Sequence, residues 1–380
     1  MDGWLLYDFH NRDMMAYQIL GLDGEKFTSR RWFYLIPAEG EPVAVVSKVE
    51  PRRLDGLPGR LVYYRSWNDL HTTLAELLGG VARVAMNYSP MADIPYVATV
   101  DAGTVELVRA QGPEIVSAAD LIQEFQSLLS PEGFELHAKA GALIQAIKDQ
   151  AFARVGELVR AGTKVTEYDI QQFILKRFDE EGLDCMGELP IVGVNEHPAN
   201  PHFEPTPSNA YAIKKGDTLL IDLWAKLAQP GGIFYDITWC GFVGTEPPAK
   251  YVEIFDVVCR ARDACLNLVR DNLRTTGSCK GWEADDACRA VVEAAGYGDA
   301  FVHRTGHSIG EEVHWTGANI DNLETKDVRE LVPGCCFSIE PGIYLEGEMA
   351  VRTEIDAFIR HDGEVAVVGD IQTSLIHIDV

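Results

Sequence analysis

Basic residues are scarce in this chain of 380 residues: 33 lysines and arginines stand against 58 aspartates and glutamates, for a formal net charge of −25. A surface of this sign repels phosphate-rich partners, so we expect neither a nucleic acid nor an anionic membrane as partner. The sequence also lacks any uninterrupted apolar run of about 18 residues, which argues against a transmembrane helix.

Two further signals are missing. Residues 1–8 lack the cationic flank and the long apolar segment of a secretory signal peptide, so the expected location is the cytoplasm. None of the eight cysteines stands in a C-x-x-C pair, and neither a disulfide framework nor a structural zinc site is therefore indicated. We interpret the cysteines as small buried apolar side chains.

Five side chains that can bind divalent metals occur in the second half of the chain. Two are aspartates in apolar, strand-like segments, TLLIDLW and FYDITW. A buried carboxylate without a partner costs free energy, so such residues are expected to face a cation. The complete set comprises Asp222, Asp236, His307, Glu340 and Glu354. Four carboxylates and one imidazole are typical of a site for two cations.

The last three ligands lie in short, specific strings: His307 in TGHSIG, Glu340 in SIEPG and Glu354 in VRTEID. In composition and order the set resembles the pita-bread metallopeptidases, the family of methionine aminopeptidase, aminopeptidase P, prolidase and the metal-free creatinase. The resemblance covers nearly the whole chain. It implies that Asp222 binds one ion, that His307 and Glu340 bind a second, and that Asp236 and Glu354 bridge the two.

The resemblance also implies a catalytic set. His303 and His314 flank His307 in HRTGHSIGEEVH, and His202 precedes the first aspartate in NPHF. Imidazoles titrate near neutral pH, so these three could bind the substrate carbonyl and pass a proton to the leaving nitrogen. Glu340 is the implied proton acceptor for the attacking water. The oxygen-rich ligand set favours two Mn(II) ions, with Co(II) or zinc as alternatives.

The chain departs from the family pattern in two ways. Asp222 and Asp236 are 14 positions apart, which is longer than usual, and the sequence QPGG lies between them. Because Pro-Gly-Gly is typical of turns, we predict a longer hairpin turn between two strands. Trp315 and Thr353 stand where the family often has Glu and Ile. Neither is a ligand, so the metal site is expected to survive while the substrate pocket differs.

Patterning predicts an α/β (α+β) protein with two domains. Residues 1–129 alternate strands, at 32–36, 43–46 and 81–85, with a helix at 69–78, and resemble the small creatinase-type N-terminal domain. Residues 130–380 are predicted to form a pita-bread catalytic domain with a curved antiparallel sheet.

A faint internal repeat supports this second domain. Ser130 and Pro131 read as an N-cap and a first helical residue, beginning a long helix that runs to about residue 160. Two further helices, ending at Glu181 and Ala295, open from similar segments, and a long helix precedes each of them. The pita-bread fold is a duplication of this kind.

Two cations close together would activate a water molecule and stabilise the oxyanion formed at a carbonyl, which favours amide hydrolysis. A separate N-terminal domain is typical of aminopeptidase P and prolidase rather than methionine aminopeptidase. The resemblance therefore implies an Xaa-Pro aminopeptidase acting on small peptides with proline in second position, with an Xaa-Pro dipeptidase as the alternative. A non-peptidase hydrolase or binding protein is less favoured, because all five ligands are present. Relatives are commonly dimers, so we expect a homodimer.

A serine hydrolase is the alternative from another catalytic class. The segment GHSIG fits the G-x-S-x-G nucleophile elbow around Ser308, and acids and histidines follow it in the order of an α/β-hydrolase. Such an elbow needs a buried apolar strand before the serine. The preceding residues, VHRT, are polar, so this interpretation is disfavoured.

Overall fold

The computed structural model describes all 380 residues. The chain divides into two compact units, Met1–Gln126 and Ser127–Val380. Both units contain helices and sheets, so the predicted mixed α/β class is confirmed. The identities predicted for the two domains, creatinase-type at residues 1–129 and catalytic at residues 130–380, remain predictions. None of the helices combines the length and apolar composition needed to cross a membrane.

The first unit is a sheet covered on both faces. Its elements are β1 (Gly3–Asp8), α1 (Met14–Leu20), β2 (Trp32–Pro37), β3 (Val43–Ser47), β4 (Arg60–Tyr64), α2 (Trp67–Leu78), β5 (Arg83–Met86), α3 (Ala102–Arg109), β6 (Glu114–Ser117) and α4 (Ala119–Ile122). The strand order is β4-β3-β2-β1-β5-β6. Trp4 and Leu6 of β1 pack in one apolar cluster and Leu5 and Tyr7 in another, because successive side chains of a strand point to opposite faces. The predicted strands and helix are confirmed to within two residues.

The second unit combines four long helices with several small sheets. Its elements are α5 (Pro131–Arg160), α6 (Glu167–Glu181), β7 (Leu183–Asp184), β8 (Ile191–Val194), β9 (Thr218–Leu227), β10 (Tyr235–Val243), α7 (Ala249–Thr276), α8 (Gly281–Ala294), β11 (Cys336–Ile339), β12 (Gly342–Leu345), β13 (Met349–Arg352), β14 (Ile355–Ile359), β15 (Val365–Val368) and β16 (Ile376–Ile378). The long helix predicted from Pro131 is confirmed, and Ser130 Oγ accepts a hydrogen bond from Gly133 N at 3.1 Å as its N-cap.

The helices form two successive pairs, α5 with α6 and α7 with α8, which matches the repeat indicated by the sequence. The first pair packs on apolar side chains of β8, β9 and β10. The second pair packs on apolar side chains of β11, β13 and β14. Cys335 and Cys336 are adjacent but belong to different apolar clusters, one on each side of β11.

The hairpin of β9 and β10 is antiparallel, and its turn contains the predicted Pro-Gly-Gly sequence. Gly231 has a φ of +73°, and a Cβ on Gly232 would lie 2.3 Å from Leu227 O, so both positions favour glycine. The longer turn is therefore confirmed. Along β9, Ile221 and Leu223 face helices α5 and α6, which turns the side chain between them to the opposite face.

Candidate metal centre

The hairpin supplies the first two predicted ligands and a third polar side chain. Asp222 and Thr238 lie directly opposite each other in the antiparallel register. Asp236 precedes Thr238 by two positions and therefore points to the same face of the sheet. The Thr238 hydroxyl lies 2.8 Å from both Asp222 Oδ1 and Glu354 Oε2. It thus links the hairpin to the residue before β14.

His307 and Glu340 lie on two backbone segments that approach each other closely. A Cβ on Gly306 would lie 1.9 Å from Ser338 O, so only glycine permits this approach. Ser338 N donates to His307 O at 2.9 Å, and the Ser338 hydroxyl donates to Glu340 Oε1 at 3.2 Å. As a result, His307 Nε2 lies 3.4 Å from Glu340 Oε1 and 3.7 Å from Asp236 Oδ2.

Three of the predicted ligands meet in one buried cluster. Donor atoms of Asp236, His307 and Glu354 all lie within 4.8 Å of one another. Asp236 Oδ1 and Glu354 Oε1 are buried and have no hydrogen-bond partner in the chain. Buried carboxylate oxygens without a partner are costly, and oxygen and imidazole donors suit a divalent ion. The residues present therefore fit a divalent metal ion at this position.

Burial raises the pKa of all four carboxyl groups in the set. The pKa values of Asp236 and Glu354 are raised well above normal, first by desolvation and then by neighbouring carboxylates. Desolvation also raises the pKa of Glu340 to about 7, and it raises that of Asp222 against the opposing charge of Arg352. A bound cation would offset the repulsion among these groups and release their protons.

Arg352 connects Asp222 to the histidine side of the site. Its guanidinium donates to Asp222 Oδ2, and its Nε donates to Thr238 Oγ1 at 2.8 Å. Its Nη1 donates to the Tyr344 hydroxyl at 3.2 Å, and that hydroxyl lies 2.7 Å from His303 Nε2. A continuous chain of hydrogen bonds therefore runs from Asp222 to His303.

His303 lies at the end of this series of hydrogen bonds, and two of its contacts fix the orientation of its ring. Its Nδ1 lies 2.6 Å from Arg304 O, so Nδ1 carries the proton and Nε2 accepts from the Tyr344 hydroxyl. Burial lowers the pKa of His303 to about 3. His303 is therefore a neutral imidazole at pH 7, with both ring nitrogens engaged.

The other two predicted histidines are open to solvent. The His314 ring lies 4.4 Å from the ring of His307, and desolvation lowers the pKa of His314 to about 4 although its side chain still contacts solvent. His202 is exposed in the loop after β8. It lies near both Asp222 and His314. The structure thus brings all eight predicted site residues into one region of the second unit.

Thr238 and Tyr344 are among the residues of this region that the sequence analysis did not identify. Thr238 follows Asp236 by two positions in a strand, so the period of two could have placed its hydroxyl beside the ligands. Tyr344 lies on β12 and reaches Arg352 because β12 and β13 pair as a hairpin. No local pattern marks it.

Ser308 lacks the surroundings of a nucleophile elbow. No helix follows it, since residues 309–335 form bends and turns. Its Oγ accepts a hydrogen bond from Gly317 N at 3.2 Å. The strand, sharp turn and helix that expose a catalytic serine are therefore missing, and the geometry does not support the serine-hydrolase alternative.

Comparison with known proteins places this architecture in a family. The profile of metallopeptidase family M24 matches residues 139–361. The chain is 28% identical to the probable dipeptidase PepE of Mycobacterium tuberculosis over 356 residues, which cover 92% of this chain and 86% of that protein. It is 32% identical to the Xaa-Pro dipeptidase of Lactobacillus helveticus over 251 residues, covering 64% of this chain and 61% of that protein.

Solved structures agree with the sequence matches. Dipeptidase PepE from Mycobacterium ulcerans matches 100% of this chain and 94% of its own, with a TM-score of 0.70 and 25% identity. A prolidase from Thermococcus sibiricus matches 99% of this chain and 94% of its own, with a TM-score of 0.61 and 22% identity, and supports the fold alone. The predicted pita-bread architecture is confirmed. Because the family profile covers more than half of its length, the protein belongs to metallopeptidase family M24.

Proposed function

We propose that this metallopeptidase hydrolyses Xaa-Pro bonds with the help of two divalent ions. The observation that carries the proposal is the pair of buried carboxylate oxygens, Asp236 Oδ1 and Glu354 Oε1, that have no partner in the chain. Their position beside His307 leaves a cation as the natural partner for both. The hard oxygen donors favour Mn(II), with Co(II) or zinc as alternatives.

The proposed ligand roles follow the order of the residues in the fold. His307 and Glu340 would hold one ion, Asp222 would hold the other, and Asp236 and Glu354 would contact both. Ions bound here would polarise a water molecule and the carbonyl group of the peptide.

Glu340 is the proposed proton acceptor. Its carboxyl oxygen Oε1 lies 3.4 Å from His307 Nε2 among the proposed ligands, so it is placed to accept a proton from the attacking water. The Ser338 hydroxyl, 3.2 Å from Glu340 Oε1, fixes the orientation of this carboxyl group.

The three histidines have distinct proposed tasks. His314 and His202 are exposed, so both are available to bind the substrate. Because the pKa of His314 is lowered to about 4, His202 is the proposed donor of the proton to the leaving nitrogen. His303 has both ring nitrogens engaged, so in this geometry it fixes the Tyr344 hydroxyl at the edge of the site.

The length of the substrate separates the two candidate activities. The sequence alone favours an Xaa-Pro aminopeptidase, whereas the relatives that match most of the chain carry the name dipeptidase. The name of the Lactobacillus helveticus relative supports proline in second position. We therefore propose Xaa-Pro dipeptides as the preferred substrates and longer Xaa-Pro peptides as the second candidate. A cytoplasmic homodimer with a creatinase-type N-terminal domain completes the proposal.

A panel of peptides tests both candidates. Metal-stripped protein is assayed on Xaa-Pro dipeptides and Xaa-Pro-Yaa tripeptides, with and without Mn(II), beside Asp236→Ala and the exposed control Asp362→Ala. We expect Mn(II) to restore cleavage of dipeptides in the wild type and in the control, but not in Asp236→Ala. Preferential cleavage of tripeptides would establish the aminopeptidase instead. Failure to bind Mn(II) would overturn the mechanism.

A further inference from the structure

A second polar pair lies behind the cluster of proposed ligands. It consists of His137 on α5 and Asp356 on β14, and both side chains are fully buried. His137 Nδ1 lies 2.6 Å from Phe234 O, so this nitrogen donates to the main chain two residues before Asp236. The other ring nitrogen, Nε2, lies 3.8 Å from Asp356 Oδ2.

Asp356 contacts the main chain of a proposed ligand rather than its side chain. Asp236 N donates to Asp356 Oδ2 at 2.8 Å. This N–H group is buried, and without Asp356 it would lose its acceptor. Phe234 O and Asp236 N are therefore anchored from the same side, by His137 and Asp356 respectively.

This arrangement is costly for the fold. Asp356 Oδ1 is buried and has no hydrogen-bond partner in the chain. A buried polar atom without a partner costs free energy of folding. Aromatic side chains pack nearby, since Phe358 lies on the same strand and stacks on Phe134 at 4.3 Å between ring centroids. An apolar residue at position 356 would avoid the cost but would leave Asp236 N unpaired.

We propose that Asp356 is a positioning residue. Its carboxyl group, which the His137 ring contacts, holds the main chain of β10 in place at Asp236 and thereby orients the Asp236 carboxylate toward the metal. The inference rests on the proposed function, because it takes Asp236 as a ligand. It predicts that hydrogen-bond acceptance at position 356, rather than charge, is what the metal centre requires.

Two substitutions at position 356 distinguish a positioning role of Asp356 from a general contribution to the stability of the fold. Asp356→Val introduces a β-branched side chain that suits a strand and removes the acceptor. Asp356→Asn retains a carbonyl oxygen that can accept from Asp236 N. The matched control is Asp217→Asn, which changes another buried carboxyl group, bonded to Lys214 and Asn195 at the start of β9. For each full-length, metal-stripped protein we measure Mn(II) affinity by titration calorimetry, the unfolding temperature, and hydrogen exchange of the Asp236 amide.

We expect Asp356→Val to bind Mn(II) about 10–100-fold more weakly than the wild type, with faster exchange at the Asp236 amide. Asp356→Asn and the control should bind Mn(II) as the wild type does. Wild-type affinity in Asp356→Val would overturn the inference and leave the proposed function intact. An equal loss in Asp356→Asn would also overturn it, since charge would then be the requirement.

A second variant allows the test to be made even if Asp356→Val does not fold. If Asp356→Val does not fold, His137→Phe carries the test, because it removes the contact behind Asp356 while keeping an aromatic ring of similar size. Weaker Mn(II) binding in this variant supports the inference, and unchanged binding overturns it. A folded wild type that binds no Mn(II) would overturn the proposed function, and this inference with it.

Discussion

Arg352 and Asp222 form a direct ion pair in which both side chains are almost completely buried. The pair links β13 to β9, and the same guanidinium also reaches Thr238 and Tyr344. Because Asp222 is also a proposed ligand, its negative charge serves both the fold and the metal.

Replacing Arg352 with methionine should destabilise the metal-free protein by about 3–5 kcal/mol, because it leaves the buried Asp222 carboxylate without its partner. Mn(II) should restore part of this loss, since a cation would then compensate the charge. Denaturant unfolding with and without Mn(II) measures both effects. The matched control is Glu348→Gln, which breaks the exposed Lys250–Glu348 pair and should cost at most about 1 kcal/mol. A loss that Mn(II) does not reduce would contradict Asp222 as a ligand.

Thr238→Val should destabilise the protein by about 1–3 kcal/mol, because valine keeps the shape of threonine but removes a buried hydroxyl that serves Asp222, Glu354 and Arg352. Activity should fall about 10–100-fold, as is typical when a group supporting the ligands is lost. Thr238→Ser retains the hydroxyl and should stay close to the wild type. Thermal unfolding and peptidase assays check the pair, and equal behaviour of the valine and serine variants would refute the role of the hydroxyl.

Mn(II) affinity should decrease as the pH falls below about 7. Burial raises the pKa of Glu340 to about 7, so below that pH the metal must displace a proton from this carboxyl group. Calorimetric titrations in buffers of different ionisation enthalpy count the protons released. We expect Glu340→Gln to bind Mn(II) more weakly and to release fewer protons than the wild type at pH 6. Identical proton release would show that Glu340 is not a ligand.

Stability should also decrease in mild acid because of His137. Burial lowers the pKa of this histidine to about 4, whereas an unfolded histidine titrates near about 6.5. Between these values the unfolded chain binds more protons, so the free energy of unfolding falls as the pH drops from about 6.5 to 4. His137→Asn, which keeps a donor for Phe234 O, should flatten this slope relative to the wild type, whereas the exposed control His377→Asn should not. Chemical denaturation across this pH range measures the slopes.

Local patterns predicted much of this protein. Ser130 and Pro131 fixed the start of α5, and the Pro-Gly-Gly sequence indicated the turn of the β9–β10 hairpin. The five candidate ligands were found because their order resembles that of a known family. Tyr344 and the contact between His137 and Asp356 could not be found in this way. Tyr344 contacts Arg352, eight residues away, through the β12–β13 hairpin, which no local pattern marks. His137 and Asp356 are 356 − 137 = 219 residues apart and meet only through tertiary packing.

Because of the register of the β9–β10 hairpin, metal binding indicates that this hairpin has folded correctly. Asp222 lies opposite Thr238, while the alternate side chains, such as Ile221 and Ile237, pack beneath helices α5 and α6. A slip of one residue would exchange the two faces, burying carboxylates among apolar side chains and exposing the core. Only the correctly paired hairpin can therefore present its proposed ligands, so a chain that binds the metal must already have formed this sheet in its native register.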